Sequence, residues 1–236
     1  MTMDLAQLQK TLRHLEDPET ALFLQSFFKT GPGEYGDGDV FRGIRVPLLR
    51  KLAKEYQHLT LAETKRLLHS AYHEDRLLAL FILARAYLSG DNRLRERIFN
   101  LYINNTQFIN NWDLVDTSAP QIVGFYLWDK DRNVLYRLAR SRHIWERRIS
   151  IMATFNFLKR DEYTDTLKIA ALLLSDSEDL IHKAVGWMLR EVGNRNREVE
   201  EKFLRKHYER MPRVMLRYAI EKFPEPRRQQ YLKGEI

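Results

Sequence analysis

Apolar residues in this chain recur at intervals of three and four, not two. Leu61-Ala62-Glu63-Thr64-Lys65-Arg66-Leu67-Leu68 follows that rule, which is the signature of an amphipathic helix. Arg76 through Leu88 is apolar nearly all round, as a helix buried on every side would be. Breaks fall at Ser89-Gly90-Asp91-Asn92, Thr117 to Pro120, Trp128-Asp129-Lys130-Asp131, Ser175-Asp176-Ser177 and Gly193-Asn194. They divide the chain into helices of roughly 11–16 residues. After about residue 60 no segment alternates as a strand would. Taken in pairs, the helices begin at about residues 60, 92, 130, 163 and 195. This spacing of roughly 32–38 residues lies close to the period of two-helix HEAT-type repeats. The expected fold is therefore all-α, a HEAT-like α-solenoid whose stacked helix pairs offer a basic concave face to an extended partner. An irregular helical bundle is the alternative.

The first 45 residues read differently, as N-terminal helices and a glycine-rich loop ahead of the helix pairs of residues 46–236, all within one helical-repeat domain. Lys29 to Asp39 holds four glycines and a proline. It lacks the Gly-Lys-Ser/Thr ending of a phosphate-binding loop and the strand-turn-helix setting of a dinucleotide fingerprint, which excludes both. Pro47 predicts the first turn of a helix continuing to Tyr56. Arg45, Arg50, Lys51 and Lys54 read as its solvated face, with phosphate contact as the other option.

Charge changes the picture once it is divided. Residues 1–130 carry 16 Lys+Arg and 16 Asp+Glu, whereas residues 131–236 carry 23 and 16, so the whole excess of +7 lies in the second part. Arg137 to Arg148 contains five arginines and one acid, Glu146. A one-sided basic region is the footprint of a polyanion partner, nucleic acid above all. The chain has no cysteine, which excludes disulfides, thiolate zinc sites and a cysteine nucleophile. The N-terminus has no secretory-leader pattern, and the longest apolar run, Leu77 to Ala84, is too short to cross a membrane. The expected location is the bacterial cytosol or nucleoid, with no membrane partner.

Candidate chemistry is sparse. His69 and His73 stand four apart without a glutamate between them, a poor zinc-protease motif that reads as a surface pair. No Gly-x-Ser-x-Gly elbow is present. Trp112 and Asp116, four apart in Asn110-Asn111-Trp112-Asp113-Leu114-Val115-Asp116, would share one helix face. Arg147 and Arg148 close Ile144-Trp145-Glu146-Arg147-Arg148. Trp187 has Lys183 and Arg190 on its own face in Lys183-Ala184-Val185-Gly186-Trp187-Met188-Leu189-Arg190-Glu191. Taken singly, each has a plainer reading. The tryptophans suit a core, Asp116 suits a helix end before Thr117-Ser118-Ala119-Pro120, Arg148 suits a surface, and Asp113 competes as the functional acid.

Together, the segments around Trp112, Arg148 and Trp187 resemble the AlkD family of DNA alkylation-repair glycosylases in composition, order and spacing, over most of the chain from about Phe41 to Phe223. The resemblance implies a HEAT-like fold and hydrolysis of the N-glycosidic bond of cationic N3- and N7-alkylated purines, without the damaged base entering a pocket. It places Trp112, Asp116 and Trp187 in the active site and Arg148 at the DNA backbone. Lys183, Arg190, Arg147 and Arg217 are further DNA-binding candidates on charge alone. No metal or organic cofactor is implied. The expected partner is double-stranded DNA with alkylated bases, engaged by a monomer. A non-catalytic relative that binds damaged or branched DNA, or a helical-repeat scaffold for proteins, are the competing functions.

Overall fold

The computed structural model describes residues 4–236, which form two compact units, 4–118 and 119–236. In the first unit the helices are α1 (Leu5–His14), α2 (Pro18–Gln25), α3 (Val46–Glu55), α4 (Leu61–Leu68), α5 (His73–Ser89), α6 (Asn92–Ile103) and α7 (Trp112–Asp116). The second opens on a π-helical turn, Pro120–Gly124, and continues with α8 (Asn133–Leu138), α9 (Ile144–Ala153), α10 (Phe155–Leu158) and α11 (Thr164–Leu172). After these come α12 (Asp179–Arg195), α13 (Arg197–His207), α14 (Arg213–Ala219) and α15 (Glu225–Lys233). Among the described residues there is no strand, only an isolated bridge between Val40 and Tyr72. The fold is all-helical with close helix packing, as in an α-solenoid. None of its described helices is long and apolar enough to cross a membrane.

Local chemistry sets the helix starts. Asp4, Asp17 and Asp91 each accept a backbone N–H three residues on, and Thr60 and Glu63 form a reciprocal capping box. These caps satisfy amides that have no partner inside a helix. The predicted pair starts are matched by α4 at Leu61, α6 at Asn92, α8 at Asn133, α11 at Thr164 and α13 at Arg197. Pro47 lies in the first turn of α3, and Arg45, Arg50, Lys51 and Lys54 are exposed, as a solvated face requires.

Each unit is organised around one 17-residue helix. In the first, α5 packs against α3, α4, α6 and α7, and Leu77 through Leu83 are buried on all sides. Each leucine, isoleucine and phenylalanine in that run contributes about 1.5–3 kcal/mol of burial. In the second, α12 packs against α9, α10, α11, α13 and α14.

The expected break at Gly193-Asn194 does not occur: α12 runs through to Arg195, and Asn196 then caps α13. Gly193 is there for close approach, because a Cβ at that position would lie 1.6 Å from Glu200 Oε2. Glu200 is 1% exposed, and burial lifts its pKa to about 8. Because burial is the cause, the neutral carboxyl costs nothing below its unfolded value of 4.5, and a penalty on folding builds as pH rises from there and is complete above about 8. Glu200→Gln, which cannot ionise, is expected to escape this penalty. In thermal melts at about pH 9 the variant should exceed the wild type by on the order of 1 kcal/mol, roughly 2–4 °C, and match it at about pH 4.

The entry to α5 departs from the sequence reading. His73, Glu74, Asp75 and Arg76 are 2%, 2%, 3% and 4% exposed, although four consecutive charged or polar residues suggest a solvated turn. The expected His69–His73 surface pair is therefore incorrect. His69 is the C-cap of α4, with Nε2 2.7 Å from Asn105 Oδ1 and its ring stacked on Phe108, whereas His73 begins the next helix inside the unit.

This polar interior is held by partners from the segment after the glycine-rich loop. Glu74 accepts the backbone N–H groups of Arg42 (2.9 Å), Gly43 (2.8 Å) and Ile44 (3.3 Å). Asp75 accepts two guanidinium bonds from Arg42, at 2.7 and 2.9 Å, and the Ser70 hydroxyl at 2.7 Å. Arg42 also pairs with Glu16 and stacks 3.6 Å above the Tyr72 ring. Buried ions in such a cluster persist because nearly every donor has an acceptor of opposite charge.

Candidate nucleic-acid interface

Trp112 and Asp116 begin and end α7, a helix of five residues. A segment this short has no helical stability of its own, so its shape depends on what holds its ends. Asn111 caps it: its side-chain oxygen accepts the Trp112 N–H at 2.8 Å, while its amide donates to Asp39 Oδ2 at 3.1 Å. Asn110 donates to the other Asp39 oxygen at 3.1 Å. The half-buried Trp112 ring stacks on Phe28 with centroids 5.4 Å apart. At i and i+4, Trp112 and Asp116 lie on one side of the helix. Asp116 is half-buried near Tyr102; burial pushes that phenol's pKa up, and the Asp116 charge pushes it the same way.

Asp113, the competing acid, is already engaged. Its Oδ2 lies 2.8 Å from His73 Nε2, and its Oδ1 accepts the Leu114 N–H at 2.8 Å.

The other candidates belong to the second unit. Arg148 on α9 is 5% exposed and donates to the Leu180 carbonyl in the first turn of α12, which ties those two packed helices together. Arg147 makes two bonds to Asp176, at 2.6 and 3.1 Å, and also donates to the carbonyls of Ser141 and Arg142. The basic run thus divides: Arg137, Arg140 and Arg142 are exposed, while Arg147 and Arg148 turn inward. Lys183 pairs with Asp179 at 2.6 Å, Arg190 pairs with Glu221, and Arg217 is exposed on α14.

Trp187 is half-buried in the middle of α12, with its ring centroid 6.3 Å from that of Phe155. Its indole N–H donates to Glu191 Oε1 at 3.3 Å, and Arg195 holds the other Glu191 oxygen at 2.9 Å. Sequence reasoning missed Glu191, although its i+4 spacing from Trp187 was there to read. It also missed Phe28, for which the sequence holds no comparable signal.

Gly186, one residue before Trp187, lets α14 reach α12: a Cβ there would stand 2.5 Å from the Met215 carbonyl oxygen and 2.6 Å from Tyr218 Cβ. Gly186→Ala is expected to push the two helices apart at a cost of about 1–3 kcal/mol. A lowered midpoint in urea would register it.

The glycine-rich loop closes on itself. The Gly31 and Gly33 N–H groups donate to the loop's own Glu34 and Asp37 carboxylates, each at 2.9 Å, and Gly36 N–H donates to the Lys29 carbonyl at 2.8 Å. These three amides are thus spent within the loop, in keeping with the rejection of a phosphate cradle. Among the described residues, no group of three or more His, Asp or Glu side chains is placed to hold a metal ion.

The profile of the DNA alkylation repair enzyme family matches residues 8–223. The chain belongs to that family. A solved structure described as a predicted DNA alkylation repair enzyme from Enterococcus faecalis shares its fold, with a TM-score of 0.66 and 16% identity over 88% of this chain and 96% of that one. Among curated proteins none matches the sequence. Membership of the DNA alkylation repair family makes DNA the partner and places the protein in alkylation repair.

Proposed function

We propose that this protein is a DNA glycosylase that hydrolyses the N-glycosidic bond of cationic N3- and N7-alkylated purines in duplex DNA. The observation that supports this best is the division of labour on α7. Asp113 is turned to His73, while Asp116 stands at i+4 from Trp112 on the same side of the helix, the position to which the AlkD resemblance carries the catalytic carboxylate.

The chemistry suits a lone carboxylate. Glycosidases ordinarily pair one carboxylate with a second, protonated carboxyl that releases the leaving group. An alkylated purine is already cationic, so it departs neutral without a proton. As the bond from C1′ to the purine nitrogen lengthens, positive charge grows on the deoxyribose. Asp116 stabilises that charge and orients the water that attacks C1′, and the water's proton passes to the carboxylate or to solvent. The AlkD resemblance gives Trp112 and Trp187 the role of offering ring faces to the sugar, because a growing cation is attracted by an indole's negative quadrupole. The phosphate contacts that set register without reading bases fall to the exposed Arg217, with Lys183 and Arg190, while Arg148, to which the resemblance gives that role, is turned inward onto the Leu180 carbonyl.

The test is release of N7-methylguanine and N3-methyladenine from methylated duplex DNA, alongside DNA affinity at several salt concentrations. Base release together with a steep salt dependence is the expected result. Salt-sensitive binding without release would transfer the assignment to a non-catalytic protein that binds damaged or branched DNA. Binding to neither would favour a protein-interaction scaffold.

A further inference from the structure

His73 is the buried group that the chemistry above leaves unused. Its ring lies between two carboxylates from distant parts of the first unit: Asp113 Oδ2 is 2.8 Å from Nε2, and Asp39 Oδ2 is 3.4 Å from Nδ1. Asp39 is in turn the hub for Arg76 (2.6 Å), Asn110 (3.1 Å) and Asn111 (3.1 Å). A second route runs through rings. His73 packs 4.9 Å from Phe28 and 4.8 Å from Phe41, and Phe28 carries the Trp112 indole on stacked planes. Both the polar and the aromatic route from His73 therefore end on α7. The glycine-rich loop joins them, since Phe28 immediately precedes it and Asp39 ends it.

We propose that His73 is a positioning residue for the reaction proposed above: clamped between Asp39 and Asp113, it fixes α7 and so the orientation of Trp112 and Asp116. This rests on the glycosylase reading for its effect on rate, but not for its effect on Trp112. The clamp needs a doubly donating, cationic imidazolium, because a neutral ring donates through one nitrogen only. Burial pushes the His73 pKa down, but the hydrogen bond and charge of Asp113, with Asp39 behind them, outweigh burial and lift it to about 9. Asp113 faces it from α7, Asp39 from the end of the loop, and Arg76 from its own helix, opposing the rise. A histidine raised in this way stabilises fully below its unfolded value of 6.5, and the contribution disappears as pH climbs through about 9.

The experiment compares the full-length wild type with His73→Gln, both carrying fluorotryptophan, with the position-112 resonance assigned through Trp112→Phe. In the variant, the fluorine resonance of residue 112 is expected to move while those of Trp128, Trp145 and Trp187 stay. Base release should lose about 10- to 100-fold in kcat with KM nearly unchanged, since misplacement of catalytic groups by an ångström costs that much. The wild-type alkaline limb near pH 9 should vanish from the variant's rate profile.

A folded His73→Gln protein with an unmoved residue-112 resonance, or with wild-type kcat and pH profile, overturns the proposal. If the variant does not fold, the wild type's own titration decides: a residue-112 resonance that ignores the His73 transition sinks the clamp. If the wild type releases no base at all, the glycosylase reading fails. The fluorine resonances then still decide whether His73 positions Trp112.

Discussion

Asp116→Asn is expected to lower release of N7-methylguanine by about 10²- to 10³-fold while leaving affinity for duplex DNA within a factor of about two. The magnitude is what removing one preorganised electrostatic partner of a developing charge typically costs. The substitution keeps size and one acceptor oxygen, turns the other into an N–H donor and removes the negative charge, so a collapse in rate with affinity kept would assign the role to the carboxylate. Asp113→Asn makes the contrast sharp. It sits three residues away on the same short helix, but its carboxylate faces His73, so its effect should arise through displaced geometry and appear at the residue-112 resonance. If the two variants lost rate equally while Trp112 stayed in place, Asp116 would not be the distinct catalytic acid.

Glu74→Ala should destabilise the protein by about 3–5 kcal/mol, the cost of breaking a buried charged cluster. Its carboxylate serves three backbone amides, those of Arg42, Gly43 and Ile44, and each orphaned buried amide costs about 1–3 kcal/mol. Glu63→Ala is the control, because its carboxylate also accepts a backbone N–H, from Thr60 at 2.8 Å, but at an exposed capping box. Losing that cap should cost about 0.5–2 kcal/mol. Urea midpoints for the two variants separate the cases, and equal shifts would mean that burial of Glu74 does not carry the weight given to it.

The two glutamates also show what a sequence discloses. Glu63 has only local partners: the threonine three residues earlier completes its capping box, and α4 starts near residue 60 as the periodicity predicts. The same locality explains why the pair starts at Leu61, Asn92, Asn133, Thr164 and Arg197 could be anticipated from breaks and periodicity. Glu74 gives no such signal. Its partners lie about thirty residues back along the chain, and nothing within a helical turn of it distinguishes a buried ion from a solvated one. His73 was read as surface for the same reason: the carboxylates that keep it inside, Asp39 and Asp113, come from opposite directions in sequence. Gly193 failed differently. A glycine is ambiguous between a helix end and a site of close approach, and only the arrival of Glu200 from α13 decides between them. At the candidate interface, the Trp112–Asp116 spacing was visible because it is local. The inward turn of Arg147 and Arg148 was not, because it depends on Asp176 and Leu180.

The brevity of α7 has a consequence for anyone wishing to move this chemistry elsewhere. Five residues do not carry instructions for becoming a helix, so the motif is not a portable cassette. Copied alone into a foreign helical scaffold, Trp112 to Asp116 would arrive without Asn111, Asp39, His73 or Phe28, and its two functional side chains would have no reason to point the same way. The smallest transplantable piece includes the glycine-rich loop and the first turn of α5. A substitution in that loop would reach Trp112 at a distance, through Phe28 at its start and Asp39 at its end.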